Sequence, residues 1–242
     1  MYLIPHLKRK SRLKSKKDKP KASLHSQLLM AESTKKTGLF GKFLNVLSGK
    51  PATDADVEKE EQPLYSGNKK ESIDLSFVKN FTASGGKFLY CEKETDAYDY
   101  LKHITKESGI NAIFCKDPNL VSILTKAGLT GITDNLAEAN AFCSGCEYLI
   151  SFNGGIMITA NQTLGKKLVE LPETFITVAR TSQIMENLRE GLTGIRNKYK
   201  GDIPSQITTI KGPIKDAGNE EAVSGNTCNK EIYLLLLEDQ LP

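Results

Sequence analysis

Residues 148–159 read Tyr-Leu-Ile-Ser-Phe-Asn-Gly-Gly-Ile-Met-Ile-Thr, so that two apolar runs flank Asn153, Gly154 and Gly155. An Asn-Gly pair between two apolar runs is the strongest short signal for a β-hairpin, because both central residues must adopt a positive φ. This stretch therefore predicts an antiparallel hairpin in the middle of the folded domain.

On both sides of the hairpin, short apolar runs alternate with helical patterns. The predicted helices cover 74–83, 95–108, 117–128 and 182–199, and the predicted strands cover 87–91, 112–115, 175–179, 206–210 and 231–238. Strands and helices in alternation predict parallel strands joined by right-handed crossovers. Together with the hairpin, the pattern predicts an α/β fold with a mixed sheet and helices on both faces.

Charge divides the chain into two regions. Residues 1–29 hold nine basic side chains and one acidic side chain, whereas the whole chain has a net charge of +4. The net charge of +8 on residues 1–29 leaves −4 for residues 30–242, so the basic character belongs to the tail. We predict a mostly disordered N-terminal tail over residues 1–72 and a folded domain over residues 73–242. A domain that binds nucleic acid is not expected.

Residues 38–48 interrupt the tail with an amphipathic pattern. Their apolar residues recur at helical spacing, with lysines around them: Leu39, Phe40, Phe43, Leu44 and Leu47. A short basic helix of this kind suits a membrane surface or a partner protein, and the simpler alternative is that it packs on its own domain. Met30 offers another start, in which case residues 1–29 would not be translated.

The longest apolar run, from Ile232 to Leu237, is too short to cross a membrane. The basic cluster follows the first apolar residues, which is the reverse of a secretory signal, and the five cysteines have irregular spacing. We therefore expect a cytoplasmic protein with reduced thiols. Cys143 and Cys146 form a C-x-x-C motif. We expect these residues to be ordinary buried cysteines; the alternatives are a redox pair or half of a metal site.

Two glycine-bearing loops follow or precede predicted strands and suggest a ligand site. In open α/β sheets, ligands bind beyond the carboxyl ends of strands. With the hairpin turn, these loops give the predicted ligand-binding set: Asn153, Gly154, Gly155, Lys211, Gly212, Lys215, Gly225 and Thr227. Lysines in these loops, together with Lys230, would attract a small anionic metabolite. No catalytic residue, metal site or cofactor is predicted. The sequence has no nucleotide-binding motif, and its histidines lie in the N-terminal tail or on a predicted helix surface, where they are not expected to act as acids or bases.

Several stretches in order resemble the LUD-domain family, typified by lactate-utilisation protein C. The stretches are Ser144-Gly-Cys-Glu-Tyr-Leu-Ile-Ser, Gly165-Lys-Lys-Leu-Val-Glu-Leu-Pro, Phe175-Ile-Thr-Val-Ala-Arg-Thr-Ser-Gln-Ile, Lys211-Gly-Pro and Glu231-Ile-Tyr-Leu-Leu-Leu-Leu. The resemblance implies the fold type shared by glucosamine-6-phosphate deaminases, ribose-5-phosphate isomerases and CoA transferases. It also implies a link to lactate oxidation beside iron–sulfur subunits.

The chain departs from the family pattern at its polar positions. Asn153-Gly-Gly stands where the family has Thr-Gly-Ser, Pro172-Glu-Thr-Phe where it has Pro-Pro-x-His, and Thr227-Cys-Asn where it has His-Gly-Pro. The sequence Lys211-Gly-Pro-Ile-Lys-Asp-Ala-Gly replaces Thr-Gly-Pro-Ser-Arg-Thr-Ala-Asp. We therefore expect a diverged binding or accessory module related to lactate utilisation. The alternative is a subunit of an iron–sulfur-dependent system that oxidises lactate or a related 2-hydroxy acid.

Overall fold

The computed structural model describes residues 71–213 and 230–239. The helices are α1 (Ile73–Ala83), α2 (Glu94–Glu107), α3 (Pro118–Lys126), α4 (Ala160–Thr163) and α5 (Leu188–Tyr199), with 3₁₀ turns at Leu168–Glu170 and Thr181–Gln183. The strands are β1 (Lys87–Cys91), β2 (Ile113–Phe114), β3 (Ile132–Thr133), β4 (Ala141–Ser144), β5 (Tyr148–Ile150), β6 (Gly155–Ile158), β7 (Thr174–Arg180), β8 (Ile184–Met185), β9 (Thr208–Ile210) and β10 (Glu231–Leu237). The predicted α/β class is confirmed.

The larger sheet is parallel throughout its described strands. Its order is β1-β10-β7-β4-β2-β3, and the apolar β10 lies between β1 and β7. Strands buried on both faces need almost continuous apolar sequence, which explains the run that ends at Leu237. All six strands end at the same edge of the sheet, where open α/β folds place their ligands.

The predicted hairpin forms in a second, smaller sheet. β5 and β6 pair antiparallel, with Tyr148 opposite Met157 and Ile150 opposite Gly155. Gly154 has a φ of +64°, but Asn153 does not adopt the positive φ that the sequence predicts for it. The connection spans residues 151–154, because the main-chain N–H groups of Ser151 and Phe152 donate to Met185 and Glu186 instead of extending the hairpin. β8 joins β5 in parallel, and β9 joins β6 antiparallel. The strands therefore divide between a parallel sheet and a mixed sheet.

The two sheets and the helices stack in layers. One face of the parallel sheet packs against α2 and α3, where Leu101 and Leu124 are buried with Ile176 and Leu235. The opposite face packs against α1 and the smaller sheet through a core that contains Phe81, Phe175 and Leu234. On the far side of the smaller sheet, Ile195 of α5 packs on Ile150 and Met157. Burial of apolar side chains in these layers is the main stabilising contribution.

The largest difference from the predicted elements is at the start of α5. The sequence pattern predicts a helix from residue 182, but Ile184 and Met185 instead pair with Leu149 and Ile150 of β5. The helix begins after Asn187, whose side-chain oxygen accepts a 3.0 Å hydrogen bond from the main-chain N–H of Glu190. Strand pairing and this N-cap together outweigh the helical periodicity of residues 182–187.

Several predictions concern residues outside the described part of the chain. These are the disordered tail up to residue 70 and the amphipathic helix over residues 38–48. Among the described residues, no helix has the length and apolar character needed to cross a membrane.

Candidate functional site

A cavity of about 400 Å³ opens at the carboxyl ends of β2 and β4. This volume lies within the roughly 300–1,000 Å³ range of small-molecule sites. The cavity is lined by Phe114, Lys116, Asp117, Phe142, Cys143, Ser144, Gly145, Cys146, Asn161, Gln162, Leu164 and Lys198. Its position is the one at which open α/β sheets bind ligands.

Aromatic side chains form the apolar wall of the cavity. The rings of Phe114 and Phe142 stack with centroids 5.8 Å apart, and Phe142 contacts Phe175 with centroids 4.9 Å apart. These rings belong to adjacent strands of the parallel sheet and are held by the core behind them. Phe114 and Phe142, which line the cavity, offer a rigid surface to the apolar part of a ligand.

A buried carboxylate, Glu147, lies beside the cavity and follows β4 in the chain. The side chain of Glu147 has no exposed surface, whereas that of Lys198 is 52% exposed. Glu147 Oε2 accepts a 2.8 Å hydrogen bond from Nζ of Lys198, and Oε1 accepts bonds of 2.8 Å from the hydroxyl of Tyr199 and 2.9 Å from the amide of Gln162. The carboxylate therefore holds an ammonium group at the wall of the cavity.

The charged state of this pair follows from its contacts. Burial raises the pKa of Glu147, but hydrogen bonds from Lys198, Gln162 and Tyr199 outweigh burial and bring the pKa below its ordinary value. Burial lowers the pKa of Lys198, but its hydrogen bond to Glu147 outweighs this and raises the pKa. Both groups are therefore ionised at neutral pH.

Lys116 supplies a second ammonium group to the lining. Its Nζ lies 3.4 Å from a carboxylate oxygen of Asp134, and both side chains are largely exposed. An exposed pair of this kind is weak, so little energy is needed to turn the lysine toward a ligand. Asp117, the one carboxylate of the lining, accepts a hydrogen bond from the main-chain N–H of Asn119 and caps α3. The arrangement can bind an anion that also has an apolar part.

The predicted site residues Asn153, Gly154 and Gly155 lie in the hairpin turn, away from this cavity. A Cβ on Gly154 would come within 2.3 Å of the main-chain nitrogen of Phe81, because α1 packs directly on the turn. The side-chain oxygen of Asn153 accepts a hydrogen bond from the main-chain N–H of Gly155. The turn glycine thus permits close packing of two main chains.

The structure brings Lys211 and Gly212 near the same turn, since Ile210 is the partner of Ile156 in the smaller sheet. A Cβ on Gly212 would lie 2.4 Å from the main-chain nitrogen of Gly86. Lys215, Gly225 and Thr227 lie outside the described residues. Lys230 lies at the amino end of β10, where its buried ammonium donates to the carbonyl of Leu171 over 2.8 Å. Ligand binding by the predicted set stays a prediction.

Both cysteines of the C-x-x-C are buried, and their neighbours differ. Cys143 lies in β4, and its interaction with the neighbouring thiol of Cys115 raises the pKa of Cys143 and lowers that of Cys115. Burial raises the pKa of Cys146 to about 12, and its main-chain carbonyl accepts a bond from Gln183. Such a thiol is unreactive at neutral pH. Among the described residues, no group of three or more His, Cys, Asp and Glu could hold a metal ion.

Sequence reasoning missed Glu147, Lys198 and the end of β4 as parts of a site. The sequence predicts part of the ligand site in the loop after β9, but β9 belongs to the smaller sheet and not to the parallel sheet. The available signal was the apolar run Ala141-Phe-Cys followed by Ser144-Gly145, which is a buried strand that ends in small residues. Recognising its importance required knowing that β4 is an inner strand of the parallel sheet.

A parallel sheet that packs against helices on one face and against a helix and a second sheet on the other defines an α/β protein. The model of the LUD domain matches residues 75–237, and the chain belongs to the LUD-domain family. The resemblance seen in the sequence is thereby confirmed. The crystal structure of a DUF162 family protein from Deinococcus radiodurans is similar, with 19% identity, coverage of 68% of this chain and 96% of that chain, and a TM-score of 0.48. No curated protein matches the chain.

Proposed function

We propose that this LUD-domain chain is a cytoplasmic binding or accessory module that takes a small anionic metabolite into the cavity at the ends of β2 and β4. The observation that carries the proposal is the ammonium group of Lys198, held at the cavity wall by the buried carboxylate of Glu147. A buried, fully hydrogen-bonded carboxylate fixes the position of its partner more firmly than an exposed one does. Lys198 has three N–H donors, so its bond to Glu147 leaves donors for a ligand.

The ligand class follows from the lining. Lys116 and Lys198 offer positive charge, and Phe114 and Phe142 offer an apolar surface. A carboxylate with an apolar substituent satisfies both, and 2-hydroxy acids such as lactate belong to this class. Family membership supports a link to lactate utilisation. An apolar substituent larger than the methyl group of lactate would fill the remaining volume of the cavity.

Titration calorimetry on the full chain tests this proposal. The probes are L-lactate, L-2-hydroxybutyrate and L-3-phenyllactate, each titrated into wild type and into Lys116→Met. Removing one charged contact at a partly exposed site is expected to weaken binding about tenfold. The matched control is Lys106→Met, an exposed lysine at the end of α2 beside the opposite edge of the sheet. The proposal fails if no probe binds wild type, or if Lys116→Met binds like wild type.

The alternative function is that of a subunit in an iron–sulfur-dependent system that oxidises lactate or a related 2-hydroxy acid. The four described cysteines are buried, and no three or more of the described His, Cys, Asp and Glu residues are grouped so as to hold a metal ion, so iron–sulfur clusters would come from partner subunits. Growth on lactate after deletion of the gene distinguishes the two functions. Loss of growth together with co-purification of iron–sulfur proteins would favour the subunit, and normal growth would remove it.

A further inference from the structure

Thr177 of β7 has an unusual environment for a buried hydroxyl. The residue has no exposed surface, and within the part of the chain that the structure describes its hydroxyl oxygen has no hydrogen-bond partner. Buried polar groups are nearly always hydrogen-bonded, because an unpaired one loses its contacts with water without replacement. An unpaired hydroxyl next to a cavity is therefore a candidate contact for a ligand.

The register of the parallel sheet places Thr177 beside the cavity. Thr177 is the partner of Ser144, a lining residue, on the neighbouring strand. Two residues earlier in each strand, the rings of Phe142 and Phe175 touch. Because side chains alternate along a strand, Ser144 and Thr177 face the same side of the sheet as these rings. Thr177 thus lies directly beside Ser144, immediately behind the residues that line the inner end of the cavity.

We propose that the hydroxyls of Thr177 and Ser144 bind the 2-hydroxyl group of the ligand, while Lys116 and Lys198 bind its carboxylate. This inference rests on the proposed function and states which residues bind each polar group of the ligand. The assignment follows from how deeply these residues are buried. Thr177 is fully buried, whereas the lysine side chains are 46% and 52% exposed. A charged carboxylate is more costly to bury than a neutral hydroxyl, so the carboxylate lies nearer to the lysines and the solvent.

The hydroxyl of Ser144 is free to take part after a small rotation. Its Oγ donates to the carbonyl of its neighbour Gly145 over 3.1 Å, a bond that closes a short local loop. Gly145 leaves room above the floor, since a Cβ there would meet only the carbonyl oxygen of Val178, at 3.8 Å. The approach from the cavity to the hydroxyl of Ser144 is therefore clear of any bulky side chain at position 145.

The test compares each 2-hydroxy acid with its analogue that lacks the 2-hydroxyl: L-lactate with propionate, and L-3-phenyllactate with 3-phenylpropionate. Affinities are measured by calorimetry for wild type and for Thr177→Val, which keeps the shape of threonine and removes the hydroxyl. We expect Thr177→Val to bind the hydroxy acids about tenfold more weakly than wild type does. Its affinity for the deoxy analogues should equal that of wild type, since the lost group has no partner in them.

Two controls separate a binding role from a structural one. Thr177→Val without ligand is expected to melt at or above the wild-type temperature, because it removes an unpaired buried hydroxyl. Thr174→Val changes the same strand at its amino end, away from the cavity, and should not alter any affinity. If hydroxy acids bind wild type and Thr177→Val equally, the inference is overturned while the proposed function stands. If no probe binds wild type, both fail.

Discussion

The ammonium nitrogen of Lys198 lies 2.8 Å from a carboxylate oxygen of Glu147, and the two side chains differ sharply in exposure. Glu147 directly precedes β5, and its main-chain N–H donates to the carbonyl of Met157 in β6, whereas Lys198 comes from the last turn of α5. Their bond therefore fixes the end of α5 to the smaller sheet beside the cavity. Loss of the carboxylate should affect both the stability of the fold and the position of the lysine.

Glu147→Gln is expected to lower the free energy of unfolding by about 1–3 kcal/mol. The glutamine keeps the volume but cannot accept the full set of bonds from Lys198, Tyr199 and Gln162. The cost should stay below that of breaking a fully buried ion pair, because the half-exposed lysine can turn to water. Urea denaturation measures the change. Glu107→Gln, an exposed glutamate at the end of α2, is the control and should leave the stability unchanged.

The same pair predicts how stability depends on pH. The hydrogen bonds hold the pKa of Glu147 below its ordinary value in the folded state. Its contribution is therefore present above the unfolded pKa of about 4.3 and is lost as the pH falls through the folded pKa. Urea denaturation at pH 7 and at pH 3–4 should show the difference between wild type and Glu147→Gln shrinking in acid. A difference that grows in acid would contradict this assignment.

Two glycines with positive φ provide a matched pair for the packing of the hairpin turn. Gly154 has a φ of +64° and Gly165 a φ of +72°, but only Gly154 lies against another main chain. Gly165→Ala should cost about 1–2 kcal/mol, the penalty of the left-handed conformation. Gly154→Ala should cost at least about 2 kcal/mol more, because its Cβ would overlap the main chain of α1. Equal losses in thermal or urea denaturation would show that α1 does not pack closely on the turn.

Much of the fold could be predicted because its elements carry local signals. Asn153-Gly154 marks the hairpin connection, although only Gly154 has the positive φ that the sequence predicts for both residues. Asp117-Pro118 starts α3 with the expected cap, in which the carboxylate accepts a hydrogen bond from the main-chain N–H of Asn119. The strands β3 and β8 could not be predicted in this way, whereas β4 was missed although its apolar run Ala141-Phe-Cys is a local signal. β3 and β8 have two residues each, too few for a periodic pattern, and pairing with neighbouring strands stabilises them.

The candidate cavity was beyond prediction because its residues are brought together by the order of strands. Phe114, Ser144 and Lys198 come from β2, β4 and α5, and nothing in their spacing along the chain marks them as neighbours. The glycines that did stand out in the sequence, Gly154 and Gly212, permit close contact between main chains. A glycine needed for packing and a glycine needed for ligand access have the same appearance in a single sequence.

The arrangement of the cysteines predicts which thiols react. Burial raises the pKa of Cys146 to about 12, so it has almost no thiolate at pH 8. The interaction with Cys115, which directly follows β2, and burial raise the pKa of Cys143 as well. Exposure of the native protein to oxidised glutathione at pH 8 should therefore leave Cys143 and Cys146 unlinked, as read by mass spectrometry of peptides after alkylation. In 6 M guanidinium the C-x-x-C should link readily, because unfolding restores an ordinary thiol pKa. A Cys143–Cys146 disulfide formed in the folded protein would contradict the structure and would support a redox role for the C-x-x-C motif.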